Sequence, residues 1–241
     1  MSMNRGKRLM VAGLALMILG GGLLALARVG SNAASHAHST SSSTYTPPYR
    51  SVAPAQAGAD AVLFFWYGCP HCLKLEEEFR QIDFSGTASS SVTPAGHTAI
   101  FTRVPAVLDS SWELDARVYY SLQQLGFSEA GHYRVMKRYV KDRPTDLESL
   151  KELLMSGVLE KERETNPLFR STADQVISQL YTPAIDTKIS ESRKLTQAIG
   201  LEGVPSILVG KDKLLELGGG LGYHDLMMSA LSLLRGGNGS E

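Results

Sequence analysis

"FFWYGCPHC", residues 64–72, holds both cysteines of a 241-residue chain, with two residues between them. The run leading into it, "DAVLFFW" (60–66), is short, apolar and closed by Gly68, as a buried strand would be. Pro70 suits a first helical turn, where its missing N–H costs nothing, and "PHCLKLEEEFR" continues as helix. The thiols therefore sit where a strand gives way to a helix.

Four chemistries compete for Cys69 and Cys72. A structural zinc site needs about four ligands, but the chain has no second CxxC and no His-x3–5-His. Haem attachment needs a histidine directly after the second cysteine, where Leu73 stands. A purely structural disulfide here closes too small a loop to constrain the unfolded chain much. The redox reading accounts for the spacing. A cysteine at a helix start faces unpaired backbone N–H groups and the positive end of the helix dipole, so Cys69 is expected to carry a lowered pKa. Cys72 lies three residues on, close enough to attack a mixed disulfide at Cys69 yet shielded by the helix. His71 can add a donor or a positive charge near the Cys69 sulfur. A stabilised thiolate stabilises the reduced form and so makes the disulfide oxidising.

Downstream, "SGTASSSVTPAG" (85–96) reads as a loop and "HTAIFTRVP" (97–105) as a second strand. A helical block follows. Ser110 with Glu113 is expected to form a capping box ahead of Leu114, Val118, Leu122 and Leu125, and Gly126 stops the run. Thr145 with Glu148 is expected to cap a helix carrying Leu147, Leu150 and Leu154; Ile185, Ile189, Leu195 and Ile199 mark another. "SILVGKDKLLEL" after Pro205 reads as two strands joined at Gly210–Asp212, and Leu226, Ala230 and Leu233 as a last helix. Strand, helix, strand, several helices, two strands and helix make an α/β arrangement with a helical insertion.

The N-terminus stands apart. Arg5, Lys7 and Arg8 precede an uncharged apolar run from Leu9 to Ala27. As a helix its roughly 19 residues measure about 28 Å, enough to cross a bilayer. The charge bias places the start in the cytoplasm and the remainder outside. A cleaved signal peptide is the rival reading, since "ALA" at 25–27 fits a small-x-small cleavage site. Both deliver the rest of the chain to a compartment where disulfides persist. From Ser31 to about Ala59, small and polar residues with three prolines read as a disordered tether spanning roughly 30 Å. His36 and His38 within it read as solvated linker. The whole chain has 43% hydrophobic residues, and 24 basic against 24 acidic side chains. A nucleic-acid binder would show a basic excess, so no nucleic-acid partner is expected.

"FFWYGCPHC" followed by "LKLEEEF", with "RVPAVLDSSWELDARVYYSLQQLG" (103–126) and "GVPSILVGKDKL" (203–214), resembles the DsbA family of thiol–disulfide oxidoreductases. The resemblance runs from about residue 60 to 234 and is weaker in the middle. It implies a thioredoxin-like fold interrupted by a helical domain, with a cis proline at Pro205, preceded by Val204, facing the active site and bordering the substrate. The catalytic motif is then Cys69, Pro70, His71 and Cys72, with no cofactor and no metal. CPHC with Val204 before the proline resembles the oxidases more than the isomerases. The family also implies cysteine-containing extracytoplasmic protein substrates and a quinone-linked membrane partner that reoxidises the pair. One position departs from the pattern. Family members commonly carry a buried glutamate six residues before the first cysteine as a proton acceptor; here that residue is Leu63.

The expected organisation is a membrane anchor or signal segment at 1–28, a disordered linker at 29–59, a thioredoxin-like domain at 60–108 and 200–234 around a helical insertion at 109–199, and a flexible tail at 235–241. The tether offers no dimerisation domain, as a dimeric isomerase would need, so a monomer is expected. The chain would lie in the periplasm or an equivalent space, tethered to the inner membrane or released. An isomerase or reductase, or a peptide-binding holdase without redox turnover, are the alternative functions. Glu76, Glu77 and Glu78 read as a solvated helix face, "GGG" at 218–220 as a flexible bend, and His97, His132 and His224 as surface residues. Trp66 and Tyr67 could be core or could border the groove.

Overall fold

The computed structural model describes residues 48–55, 58–81, 90–92, 98–218 and 220–236. The anchor or signal segment, most of the tether with His36 and His38, His97, Gly219 and residues 237–241 lie outside the described residues. Among the described residues no helix is long and apolar enough to cross a membrane.

The described strands form one sheet of six. In chain order they are β1 (Arg50–Ser51), β2 (Ala61–Phe65), β3 (Ser90–Val92), β4 (Thr98–Pro105), β5 (Ser206–Val209) and β6 (Lys213–Glu216), and across the sheet they run β1-β6-β5-β2-β4-β3. β2 is parallel to β4, with Leu63 beside Arg103, and antiparallel to β5, with Leu63 beside Ile207. Parallel pairing of β2 and β4 requires a crossover, which α1 (Pro70–Gln81) supplies. The helical insertion is α2 (Glu113–Gln124), α3 (Glu129–Lys141), α4 (Leu147–Leu153), α5 (Leu159–Thr165), α6 (Ala173–Gln179) and α7 (Pro183–Ala198), and α8 (Tyr223–Gly236) closes the chain. The thioredoxin-like fold with a helical insertion expected from the sequence is the fold observed.

β2 is a central strand, and its five residues are all buried. Their side chains alternate between two faces, as strand geometry demands. Ala61 and Leu63 pack with Leu75 and Phe79 of α1 and Leu226 and Met227 of α8. Val62 and Phe64 pack on the other face with Ile199, Leu201 and Leu208. Phe65, at the end of β2, joins Tyr67, Cys69 and Cys72 in the core that extends through the helical insertion. Full burial of a leucine or phenylalanine side chain contributes about 2 kcal/mol, so this one strand fastens three layers. The cysteine turn lies at the seam where the sheet core meets the insertion.

Several local expectations are corrected. The end of the assumed tether is structured: Arg50–Ser51 pair with β6, the Val52 and Ala55 N–H groups donate to the Asp212 and Lys211 carbonyls, and Ala55 is buried. Arg50 also donates to Glu216 and to the Gly200 carbonyl. Hydrophobicity gives no signal for such a strand, because its backbone makes the bonds. Ser90–Val92, inside the presumed loop, pair antiparallel with β4. Ser110 and Glu113 form no capping box. Asp109 accepts from the Ser111 N–H at 2.7 Å and caps a short 3-10 turn, Ser110–Trp112, while Glu113 pairs with Arg117 and Arg193. The cap of α4 is Asp146 with Ser149, one residue beyond Thr145 and Glu148. Aspartate caps well because its carboxylate accepts N–H bonds directly.

Candidate active site

Cys69 ends the turn out of β2 and Pro70 opens α1. The turn is tied by the Cys69 N–H donating to the Trp66 carbonyl at 3.1 Å. Gly68 allows the Trp66 indole to fold back over it, since any Cβ there would collide with the ring. Cys69 and Cys72 are both buried, 6% and 3% exposed, and both are free thiols. The Cys72 N–H donates to the Cys69 sulfur at 3.3 Å, which is the orphan donor of a helix start meeting the sulfur as expected.

The two thiols differ as the fold places them. The Cys72 side chain hydrogen-bonds the Cys69 sulfur and, with the backbone N–H groups of Cys72 and His71, holds the Cys69 pKa down to about 7 against the opposing effect of burial. Burial, followed by the hydrogen bond and charge of Cys69, pushes the Cys72 thiol well up. One sulfur is primed as a thiolate; the other keeps its proton. The backbone donors are those a helix start supplies; the second thiol adds a hydrogen bond of its own.

Val204 and Pro205 come to the same place from 135 residues away. The Val204 carbonyl oxygen lies 3.7 Å from the Cys69 sulfur, and the Val204–Pro205 peptide is cis. Val204 is partly buried against the same core as the cysteines. The His71 imidazole is engaged elsewhere: its Nδ1 lies 2.7 Å from the Tyr223 hydroxyl at the start of α8. Tyr223 had no sequence signal, because only the packing of α8 on α1 brings it there.

The surroundings hold more buried polar groups than the sequence suggested. Tyr67 is core, and its hydroxyl hydrogen-bonds Nδ1 of His132, which is buried at 5% exposure and not on the surface. Burial, with Arg103 adding to it, pushes the His132 pKa down to about 3, so this imidazole is neutral. Glu76 is not solvated: it is 5% exposed and takes bonds from Arg103 at 3.0 and 3.2 Å. Arg103 also reaches Glu129 of α3 at 2.9 Å. The signal for this triad was Arg103 itself, a lone charge inside the apolar strand "HTAIFTRVP", since a buried charge requires a partner. Trp66 is partly exposed and stacks on Trp112 with ring centroids 4.5 Å apart. His224 is exposed, 3.8 Å from Glu78. Leu63 packs in the strand–α1–α8 core, and Phe65, on the same face, is the β2 residue clustered with Cys72.

No protein-family model matches the chain. It is 24% identical over 211 residues to a thiol:disulfide interchange protein DsbA of Pseudomonas aeruginosa, covering 86% of this chain and 90% of that one. A DsbA of Azotobacter vinelandii is 24% identical over 182 residues, 74% of this chain and 75% of its own length. The crystal structure of Pseudomonas aeruginosa DsbA superposes with a TM-score of 0.59 at 23% identity, covering 78% of this chain and 90% of that chain. The chain is similar to DsbA proteins over most of its length and shares their fold. Within the DsbA pattern it keeps the cysteine turn, while the strand position expected to carry a buried carboxylate holds Leu63.

Proposed function

We propose that this protein is a dithiol oxidase that donates a Cys69–Cys72 disulfide to cysteine-containing proteins outside the cytoplasm. The observation that carries the reading is the asymmetry of the pair: one sulfur bonded by helix-start N–H groups with a pKa near 7, the other buried and protonated. Named relatives act in thiol:disulfide interchange, which supports it. A substrate thiolate attacks the Cys69 sulfur, the Cys69–Cys72 bond breaks, and the electron pair leaves on Cys72, which takes up a proton. A second substrate thiolate then attacks the substrate sulfur of the mixed disulfide and expels Cys69 as a thiolate. The substrate has lost two electrons and two protons, and the pair is reduced. A low pKa makes Cys69 the better leaving group in the second step.

Pro70 starts the helix without wasting a donor, and His71 contributes its backbone N–H to the sulfur. Val204 and Pro205 form the wall on which an extended substrate segment lies, with the Val204 backbone as its hydrogen-bonding edge. The protein works as a monomer in a periplasm-like space, held to the inner membrane by its N-terminal segment or released from it. A quinone-linked membrane protein takes the two electrons from the reduced pair.

The test is equilibration of the pair with glutathione, alongside oxidation of a reduced two-cysteine peptide by the disulfide form. A potential well above thioredoxin's, about −270 mV, and stoichiometric peptide oxidation are expected. A potential at the thioredoxin value would overturn the oxidase assignment in favour of a reductase. Folding assistance retained by Cys69→Ser would favour a holdase.

A further inference from the structure

The Tyr223 hydroxyl and the His71 imidazole meet across the first turns of α8 and α1. Nδ1 and Oη are 2.7 Å apart, and the rings lie 6.2 Å apart at 23°. The chain reaches this point through a tight turn. Gly218 and Gly220 have φ of +106° and +97°, conformations that a Cβ would oppose, and Gly218 and Leu221 exchange backbone bonds at 3.3 and 3.0 Å. Leu226, Met227 and Ala230 are fully buried against the core that contains Leu75 and Phe79 of α1. The two helix starts are thus packed side by side, and the Tyr223–His71 contact follows from that packing.

We propose that Tyr223 is a positioning residue that restrains the His71 imidazole, keeping the ring of the CPHC turn on α8 and off the Cys69 sulfur. A phenol hydroxyl both donates and accepts, so the bond persists whether the imidazole is neutral or cationic. It governs where the ring points. The Cys69 sulfur meanwhile takes its hydrogen bonds from the Cys72 side chain and from the backbone N–H groups of Cys72 and His71. A released imidazole, one residue from the helix start, would be free to turn a donor or a positive charge toward that sulfur and favour the thiolate. The other ionisable side chains on these first turns are Cys72 and Lys74 of α1 and His224 and Asp225 of α8, with His224 facing Glu78 of α1 at 3.8 Å. The restraint moderates the oxidising power of the pair. This deepens the dithiol-oxidase reading and rests on it.

The experiment titrates the Cys69 thiolate in the reduced full chain by its ultraviolet absorbance and measures the equilibrium constant with glutathione. Tyr223→Phe removes only a hydroxyl from a partly exposed ring. The thiolate midpoint is expected to fall by about one pH unit. At pH 7 that carries the equilibrium about fivefold further toward the reduced protein and oxidised glutathione. Adding His71→Ala to Tyr223→Phe should restore the original midpoint, and His71→Ala alone should move it less than Tyr223→Phe does. A folded Tyr223→Phe protein with an unchanged or raised midpoint overturns the proposal, as does a fall that survives in the double variant. A purely structural role for Tyr223 would lower thermal stability and leave the midpoint in place. The titration uses no substrate, so it fails or succeeds separately from the oxidase assignment, which stands or falls on peptide oxidation.

Discussion

The Trp66 indole N–H donates to Asp115 Oδ2 at 2.5 Å, and Arg143 donates to the same oxygen at 2.8 Å. Asp115 is buried on α2, so one carboxylate from the helical insertion holds the residue whose carbonyl ties down Cys69. Arg143 also lies over the Trp66 ring, 4.9 Å from its centroid.

Asp115→Ala leaves the part-buried indole N–H without its acceptor and takes one of two acceptors from the Arg143 guanidinium. Removing one partner of such a cluster costs about 3 kcal/mol. Asp115→Asn keeps an acceptor for the indole and is expected to cost less than half as much. Urea unfolding measures both, and an alanine variant as stable as the parent would refute this role for the clamp.

Cys69 alkylation in the reduced protein should follow a single ionisation near pH 7, with Cys72 untouched between pH 5 and about 8. The folded pKa lies below the ordinary thiol value of 9.0, a difference of about 3 kcal/mol in favour of the thiolate. The sign follows: this stabilisation of the reduced protein is complete above pH 9 and disappears as pH falls through about 7. Rate profiles read by mass spectrometry of the labelled peptides check it. Equal labelling of both cysteines would disprove the asymmetry.

Leu63→Glu places a carboxyl group in the strand–α1–α8 core beside Arg103. Burial of the carboxyl is expected to destabilise the protein by about 3 kcal/mol. Reoxidation of the reduced pair by a small disulfide should rise by roughly tenfold near neutral pH and lose much of its pH dependence, because a local base now takes the Cys72 proton. Stopped-flow reoxidation from about pH 5 to 8 compares the two proteins. If the leucine protein is already as fast and as insensitive to pH, another group serves as base.

Glu76→Gln tests the buried triad with Arg103 and Glu129. Burial raises the Glu76 pKa, and Arg103 pulls it only part of the way back. A raised carboxyl pKa means that stability from this group is full below its unfolded value of 4.5 and declines as pH rises through the folded value. The glutamine variant lacks that decline. Relative to it, the parent should therefore be more stable at pH 4 than at pH 7. Denaturant midpoints across that range give the answer; the opposite slope would show that Arg103 dominates.

Local sequence was enough for β2, the start of α1 and the β5–β6 hairpin. An apolar run ending in glycine, a proline at a first turn and a Gly-x-Asp break each act through their neighbours in the chain. The two-residue spacing of Cys69 and Cys72 likewise carried the chemistry, because a helix start supplies its own donors. Caps were legible as to kind and misplaced in register: Asp109 and Asp146 displaced the Ser110 and Thr145 expected, since several adjacent residues can bond the same free N–H groups.

What the sequence by itself determined was therefore everything set by contacts within a few residues: the redox pair, the strand and helix that hold it, and the α/β order of elements. The tertiary structure decided the rest. His132 and Glu76 looked like surface groups because the side chains that hydrogen-bond them are distant in the chain. Tyr67 and Arg103 supply those partners across 65 and 27 residues. The Val204 carbonyl at the Cys69 sulfur, the Asp115 clamp on Trp66 and the Tyr223 hold on His71 span 135, 49 and 152 residues. A buried polar group is tolerated only when another reaches it, and which other does so depends on how helices pack on the sheet, a relation that no local pattern of residues encodes.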